Sequence, residues 1–259
     1  MKQLIQRELT NIWTVRSLLV FATIIFIVPL VQFMTIRERY QFFEPIEVFE
    51  ESVSTIPSML FPVLAILIFL PNILAEHRHH FVTYTRTRVD LSKYLFVKGL
   101  VNAVLSGVVL FLMIFVTFLF VLYIEPMLHL VTYTDVMAGT IVPQTTLSFL
   151  ADIHPLLYGF FYAVWIGLNG ALYATMAYLF MLTLENVFVA ISLPFLAYHI
   201  LNFVTGMVQL PQFSPLSTLF PFNISAQPVW TIFVPFLIFV SLGVGIYVFR
   251  LRPRREWSF

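Results

Sequence analysis

Histidine is the side chain in this sequence with the widest chemical repertoire, and three of the six histidines lie close together. His77, His79 and His80 flank Arg78 within a basic stretch at residues 76–98. Metal sites usually draw their ligands from regular helical spacing or from several segments. We therefore interpret the three histidines as part of a cationic surface patch. With no cysteines, the chain has no thiolate nucleophile, thiolate metal site or disulfide.

A second candidate group is His199, which lies inside a long apolar run. An ionisable side chain at membrane depth is a functional hypothesis by default. The alternative is a neutral imidazole that hydrogen-bonds to a neighbouring helix, and we favour that structural role. Asn169 and Asn202 allow the same two interpretations, so Asn169, His199 and Asn202 form a candidate intramembrane polar site.

Phe195 and His199 have the F-x-x-x-H spacing of one motif of the CAAX-type intramembrane proteases. That family also has paired glutamates followed by an arginine, and a second histidine motif at membrane depth. Glu50 and Glu51 have no arginine four residues on. An intramembrane hydrolase that uses His199 with a glutamate such as Glu185 stays as an alternative function.

Nucleotide chemistry is absent from the chain itself. The nine glycines form neither G-x-x-x-x-G-K-[ST] nor G-x-G-x-x-G, the loops that cradle phosphates. We therefore expect no enzyme and no bound cofactor or metal, and any use of ATP must come from a partner. Four acids at Glu44, Glu47, Glu50 and Glu51 could attract a cation, but we interpret them as a solvated face.

The elements that position these residues follow from composition. The 259 residues are 60% hydrophobic and 10% charged, against about 25% charged in soluble domains. Runs of about 20 apolar residues cross a bilayer as helices. The sequence predicts an all-α membrane protein that forms one domain at 1–259. Its six-span bundle at 18–250 has spans at residues 18–35, 56–75, 99–124, 156–184, 187–207 and 229–249.

Two segments flank this bundle. Residues 1–17 are predicted to form an amphipathic interfacial helix, whose apolar face is Leu4, Ile5, Leu9, Ile12 and Trp13. Residues 251–259 form a basic tail. Twelve of the fourteen basic residues precede span 1, follow span 6 or lie between spans 2 and 3. Both termini should therefore lie in the cytoplasm, with the chain in the cell membrane.

Three connections carry further predictions. Only Glu185 and Asn186 separate spans 4 and 5, which should form an antiparallel pair. Residues 126–155 should hold one short helix or hairpin. Residues 208–228 are uncharged and contain four prolines, which predicts a segment that re-enters the membrane under protein cover.

This layout resembles the membrane subunit of type-2 ABC transporters, the exporter-like permeases. The resemblance rests on Glu76-His77-Arg78, on residues 84–88, on Lys93-Tyr94 with Lys98, and on Phe213–Leu216 with Phe220-Pro221. It implies a short coupling helix near residues 79–84, with Asp90 as the N-cap of span 3. The implied ATPase-coupling residues are Glu76, His77, Arg78, Phe81, Tyr84, Arg86, Arg88 and Lys93.

The resemblance also implies partners. These are separate ABC ATPase subunits that bind ATP and Mg, a second copy or a homologous permease, and membrane lipid, with no nucleic acid. The implied substrate is a peptide, a drug or antibiotic, or a lipid-like molecule. A further alternative is an ion-coupled carrier or a channel, although carriers usually show repeated halves and several polar groups at the bilayer midplane.

Overall fold

Six long apolar helices make up most of the protein. The structure is a computed structural model that describes residues 2–78, 90–134 and 145–251. Six of its helices are long and apolar enough to cross a membrane, as a multi-pass membrane protein requires. Numbered in chain order, spans 1 to 6 are Val15–Ile36, Ile56–Leu74, Leu91–Leu128, Pro155–Thr183, Val187–Met207 and Val229–Phe249.

Most predicted span boundaries agree with the structure, and span 3 is the exception. Spans 5 and 6 have the predicted bounds, and spans 1, 2 and 4 agree within a few residues. Span 3 begins at Leu91 and not at Gly99, because Asp90 caps it by accepting a hydrogen bond from the Ser92 amide at 3.0 Å. The cap is where it was predicted. The correction is that Lys93 and Lys98 belong to the helix and not to the loop.

The predicted amphipathic helix is Lys2–Ile12, and we call it the N-terminal helix. It ends before Thr14, whose side chain caps span 1 by accepting from the Ser17 amide at 3.3 Å. Glu8 and Ile12 are buried against the bundle, whereas Leu9 and Trp13 are exposed. One part of the predicted apolar face therefore packs against the bundle, and the other part points away from it.

Spans 3 and 4 form the centre of the bundle as a close antiparallel pair. A Cβ placed on Gly167 would lie 2.9 Å from the backbone oxygen of Gly107, so the two backbones nearly touch. Nearer the two ends of the pair, Gly99 lies under the Tyr178 ring and Gly159 under the Phe118 ring. Small residues at such positions let membrane helices approach closely.

Span burial shows which helices are peripheral. In the most apolar 18-residue stretch of each helix, 61% of span 2 and 56% of span 4 are buried inside the protein, but only 17% of spans 5 and 6. Spans 5 and 6 therefore present most of their apolar side chains outward. Spans 4 and 5 are the predicted antiparallel pair, and Asn186 caps span 5 by accepting from the Phe188 amide at 3.0 Å.

The connections on the side opposite the N-terminal helix, called the far side, are largely folded. Pro45–Ser54 is a helix between spans 1 and 2, which we call the outer helix. Ser148–Ile153 is the short helix predicted before span 4. The segment at 208–228 consists of the short helices Pro211–Phe213, Pro215–Leu219 and Pro221–Asn223.

Candidate functional site

A buried ion pair joins the N-terminal helix to span 3. Lys98 Nζ lies 2.6 Å from Glu8 Oε2, and the two side chains are only 2% and 8% exposed. The ammonium also lies 5.5 Å from the centre of the Tyr94 ring and 5.9 Å from that of Phe69 at the end of span 2. Cations are attracted to aromatic faces at this distance. One lysine thus holds together the N-terminal helix, span 2 and span 3.

Lys98 begins a buried polar column along span 3. Asn102 and Ser106 follow at intervals of four residues, which places them on the same helix face. Asn102 Nδ2 donates to the Ala174 carbonyl of span 4 at 2.9 Å, and Ser106 Oγ donates to the Ala65 carbonyl of span 2 at 3.0 Å. All three side chains are buried. Span 3 is therefore bonded to three neighbouring helices through one face.

Sequence reasoning missed this pair. The sequence pattern places Lys98 in the loop at 76–98 and leaves Glu8 out of the candidate residues. A signal was present, since Glu8 stands four residues from both Leu4 and Ile12 and so falls on the apolar face. A charge in the middle of an apolar face requires a partner.

A second carboxyl with contacts inside the bundle, Glu50, lies partly buried on the outer helix. Its Oε1 accepts hydrogen bonds from the Tyr158 hydroxyl of span 4 at 2.7 Å and from Thr145 Oγ1 at 3.4 Å. Phe49 beside it packs edge-on against the rings of Phe118, Tyr158 and Tyr162. This position links the outer helix to span 4.

The protonation of Glu50 reflects this environment. Burial, and to a smaller extent the charges of Glu47 and Glu51, raise its pKa to about 7 against the opposing effect of the bonds from Tyr158 and Thr145. The prediction of a solvated acidic face is therefore wrong for Glu50, although Glu44 is exposed. The exposed carboxyl lies at the start of the outer helix, and the partly buried one is bonded to Tyr158 of span 4.

A third buried carboxyl closes the connection after span 3. Glu125 is fully buried and accepts from the Val131 amide at 2.9 Å and from the Tyr133 hydroxyl. Burial and the bond to Glu125 raise the pKa of Tyr133. The chain turns back at His129, whose φ of 48° is left-handed. These contacts fold the loop onto its own helix end and indicate a structural role.

Each residue of the predicted intramembrane polar site makes its own hydrogen bond to a backbone group. Asn169 donates to the Trp165 carbonyl in its own helix at 2.9 Å. His199 Nε2 lies 3.2 Å from the Met59 carbonyl of span 2. Asn202 accepts from the Leu216 amide at 2.8 Å and so caps a short helix of the 208–228 segment. These three contacts are of the structural kind that we favoured for each residue.

The geometry also separates the two residues of the hydrolase alternative. Glu185 precedes span 5 and His199 lies well inside it. At 1.5 Å of rise per residue, the fourteen residues between them correspond to about 20 Å along the helix axis. A carboxylate at that distance cannot share a proton or a water molecule with the imidazole. The structure does not bring these two residues together.

Comparison with protein-family models, with curated proteins and with solved structures finds no match. Function must therefore be argued from the residues and their geometry.

The predicted coupling residues are described only in part. Phe81, Tyr84, Arg86 and Arg88 lie outside the described residues, as does the predicted coupling helix near 79–84. The backbone of Glu76, His77 and Arg78 ends the helix Leu70–Arg78. Lys93 is exposed on the first turn of span 3. Within residues 2–78, 90–134 and 145–251, no three His, Asp or Glu side chains are grouped as a metal site would need.

Proposed function

We propose that this chain is the membrane subunit of an ABC-type exporter, which docks a separate ATP-hydrolysing subunit through residues 76–93. The observation that carries the proposal is the pair of helices on either side of the loop. The helix before it extends to Arg78, and the helix after it begins at Leu91. The first, Leu70–Arg78, is separated from Ile56–Leu67 by a turn at residues 68–69, and Leu70 is buried. The second runs unbroken into the buried centre of the bundle as span 3. A protein that moves the loop therefore moves span 3 and the end of span 2 next to the loop.

The proposed orientation places this loop in the cytoplasm. Six crossings put the N-terminal helix, the loop at 79–89, the turn at Glu185 and the C-terminal tail on one side. Basic residues mark the cytoplasmic side of membrane proteins. Lys98 is not counted among the basic residues that mark the cytoplasmic side, because it is paired with Glu8 inside the bundle. Eleven of the fourteen basic residues still lie on this side, with Arg37 and Arg39 on the other.

The segment at 208–228 supports a re-entrant turn on the opposite side. Its backbone accepts hydrogen bonds from two side chains of span 4, Trp165 to the Thr218 carbonyl at 2.7 Å and Tyr162 to the Leu219 carbonyl at 3.0 Å. Trp165 follows the start of span 4 by ten residues, or about 15 Å. The hydrocarbon core is about 30 Å thick. The bonded turn thus lies well below the start of span 4, under protein cover, as a re-entrant segment requires.

The proposed partners follow from the exposed surfaces. ATP and Mg are bound by the docked ATPase, and this chain acts as a transport subunit without a catalytic site. The outward apolar side chains of spans 5 and 6 contact lipid or a second permease. The transported molecule is a peptide, a drug or antibiotic, or a lipid-like compound, as in the exporter-like permeases that the sequence resembles.

The test is to replace the basic residues of the loop. Arg86→Ala combined with Arg88→Ala should lower ATPase association by about tenfold or more, because a buried charge loses its partner at an interface. Glu76→Ala should act in the same direction. Membrane insertion should persist, since the other basic residues still mark the inner side. The measurement is ATP hydrolysis and ATPase content after the tagged chain is purified from its native membrane in Mg-ATP buffer.

The matched control is a pair of arginines with the same spacing on the far side. Arg37→Ala combined with Arg39→Ala removes the same charge outside the proposed docking loop. This control should retain the ATPase. Equal retention by both double variants and by Glu76→Ala would contradict the docking proposal and leave residues 76–93 as an orienting loop.

A further inference from the structure

The N-terminal helix is held to the bundle by a narrow inward face. Only Glu8 and Ile12 are buried among its described side chains, and Leu4 and Ile5 are partly covered. Glu8 lies near the middle of this face, so its bond to Lys98 sits at the centre of the attachment. Thr14 follows directly after the helix and caps span 1.

Charge is not the simplest way to hold this helix in place. Two charges lose their hydration when they are buried, and an apolar pair of similar volume often stabilises a fold equally well or better. What an ion pair adds is a single geometry, because the ammonium and carboxylate must meet at hydrogen-bond distance. The pair at 2.6 Å therefore fixes the register of the N-terminal helix against span 3.

The same pair joins the helix that follows the loop to the helix that leads into span 1. Lys98 is seven residues beyond the start of span 3 at Leu91, or about 10 Å along a rigid helix. Movement of the loop at 79–89 must carry Lys98 with it. Glu8 follows Lys98, and the N-terminal helix leads through the Thr14 cap into span 1.

We infer that Glu8 and Lys98 are positioning residues that transmit movement of the ATPase-docked loop to the N-terminal helix and span 1. The inference rests on the proposed function, whereas the ion pair and the path are features of the fold. Spans 2 and 3 receive the movement through the backbone. The N-terminal helix receives it through the Glu8–Lys98 bond and passes it to span 1, which span 2 also contacts directly where Asn72 Nδ2 donates to Ser17 Oγ at 3.5 Å.

The experiment compares Glu8→Gln and Lys98→Gln with the charge exchange Glu8→Lys plus Lys98→Glu. A fourth variant, Glu8→Leu with Lys98→Met, leaves no unpaired charge and so keeps the fold if a single change does not. Glu38→Gln is the matched control, since it breaks an exposed pair with Arg37. Each chain is purified with the ATPase that accompanies the parent, and hydrolysis is compared with that of the free ATPase.

A second readout needs no ATPase. The chain has no cysteine, so spin labels can be placed at Gln6→Cys and Glu185→Cys, which are both exposed on the side of the N-terminal helix. The distance distribution between the labels is measured in lipid nanodiscs. It reports the position of the N-terminal helix relative to the bundle.

The expected result is that the apolar variant and Glu8→Gln bind the ATPase normally but lose stimulation of hydrolysis by about fivefold or more, the lower end of typical coupling between sites. Their label distances broaden, the charge exchange recovers part of the stimulation, and Glu38→Gln matches the parent. Parental stimulation and a parental distance distribution in the apolar variant would overturn the inference.

A different failure identifies an error in the proposed function. If no ATPase is stimulated by the parent chain, the docking proposal and the coupling role both fall. The label distances then still decide whether the ion pair positions the N-terminal helix. A distribution that is unchanged in Glu8→Gln and in the apolar variant would overturn that part as well.

Discussion

At the scale of residues, the bundle accommodates its prolines by supplying other donors. Pro62 lies inside span 2 and has no amide hydrogen to give to the Ser58 carbonyl one turn earlier. The Tyr198 hydroxyl of span 5 donates to that carbonyl at 2.9 Å, and the adjacent His199 ring reaches the Met59 carbonyl. Span 5 is thus attached to span 2 one turn before Pro62. Its polar residues satisfy backbone groups that lipid could not.

The prediction at this scale concerns Tyr198. Tyr198→Phe removes one oxygen and leaves the Ser58 carbonyl buried without its donor, which should lower the free energy of unfolding by about 1–3 kcal/mol. Thermal or detergent-induced unfolding of the purified protein measures the change. Tyr247→Phe, at an exposed tyrosine of span 6, is the control and should unfold like the parent. Equal stability of the two variants would contradict the role given to Tyr198.

At the scale of elements, the closest packing is between spans 3 and 4. Their backbones approach at Gly107 and Gly167, where a methyl group would meet a carbonyl oxygen and not a flexible side chain. The far side is held differently, because the outer helix reaches span 4 through the Glu50 carboxyl and the Phe49 ring. The contact between spans 3 and 4 depends on the close fit of two backbones, whereas the contact of the outer helix depends on the protonation of Glu50. An added methyl group should therefore disturb the first contact, and a change of pH the second.

Gly167→Ala tests the contact that depends on shape. The added Cβ lies 2.9 Å from the Gly107 oxygen, so the spans must separate, and we expect a loss of about 1–3 kcal/mol in unfolding free energy. Gly245→Ala in span 6 is the control, because nothing lies within 4 Å of its Cβ and the helix should gain up to about 1 kcal/mol. Thermal or detergent-induced unfolding of the purified variants measures both changes in stability. A fully stable Gly167→Ala protein would mean that the two spans are not in close contact.

The contact through Glu50 should depend on pH. Burial raises its pKa from 4.5 to about 7, so the folded state holds a proton that the unfolded chain releases. The resulting stabilisation is complete below about pH 4.5 and is lost as the pH rises through about 7. We expect the hydrogen-exchange protection of residues 45–54, corrected for intrinsic rates, to fall between pH 6 and 8.

Two variants separate this titration from general effects of pH. Glu50→Gln cannot ionise and should keep constant protection over the same range. Glu44→Gln changes an exposed acid at the start of the outer helix and should titrate like the parent. If the parent shows no change in protection between pH 6 and 8, Glu50 does not titrate at this contact.

At the scale of the whole molecule, six antiparallel crossings separate two chemically different sides. The N-terminal helix, the helix ends at Arg78 and Leu91, and the short turn before span 5 lie at one end of the bundle. The outer helix, the helix Ser148–Ile153 and the proline-rich segment lie on the other. The centre formed by spans 2, 3 and 4 connects the two sides, and span 3 carries a buried charged residue near each of its ends, Lys98 and Glu125.

Cysteine labelling tests this arrangement directly, because the natural chain contains none. Thr87→Cys and Glu185→Cys should react with an impermeant maleimide only after the cytoplasmic side is opened. Ser148→Cys and Gln209→Cys should react from outside intact cells. The expected pattern follows from the crossings together with the distribution of basic residues. Labelling of Thr87→Cys and Ser148→Cys from the same side would exclude the six-span topology.

The sequence by itself determined where the spans lie, because an apolar run of sufficient length is a local property. Spans 5 and 6 have the predicted bounds. The Asp90 cap is also local, because the carboxylate bonds to an amide only two residues further along the chain. The start of span 3 was placed too late because hydropathy marks the edge of the membrane and not the end of a helix.

The tertiary structure alone decided which polar side chains are buried and what they contact. Glu50 meets Tyr158 across 108 residues of chain, and Tyr198 meets the Ser58 carbonyl across 140. From the sequence alone, Glu8 and Lys98 are expected to be surface charges. They are paired because the N-terminal helix packs against span 3. Whether a charge faces water or a partner depends on how helices pack, and packing is set by faces from distant parts of the chain that meet only in the folded protein.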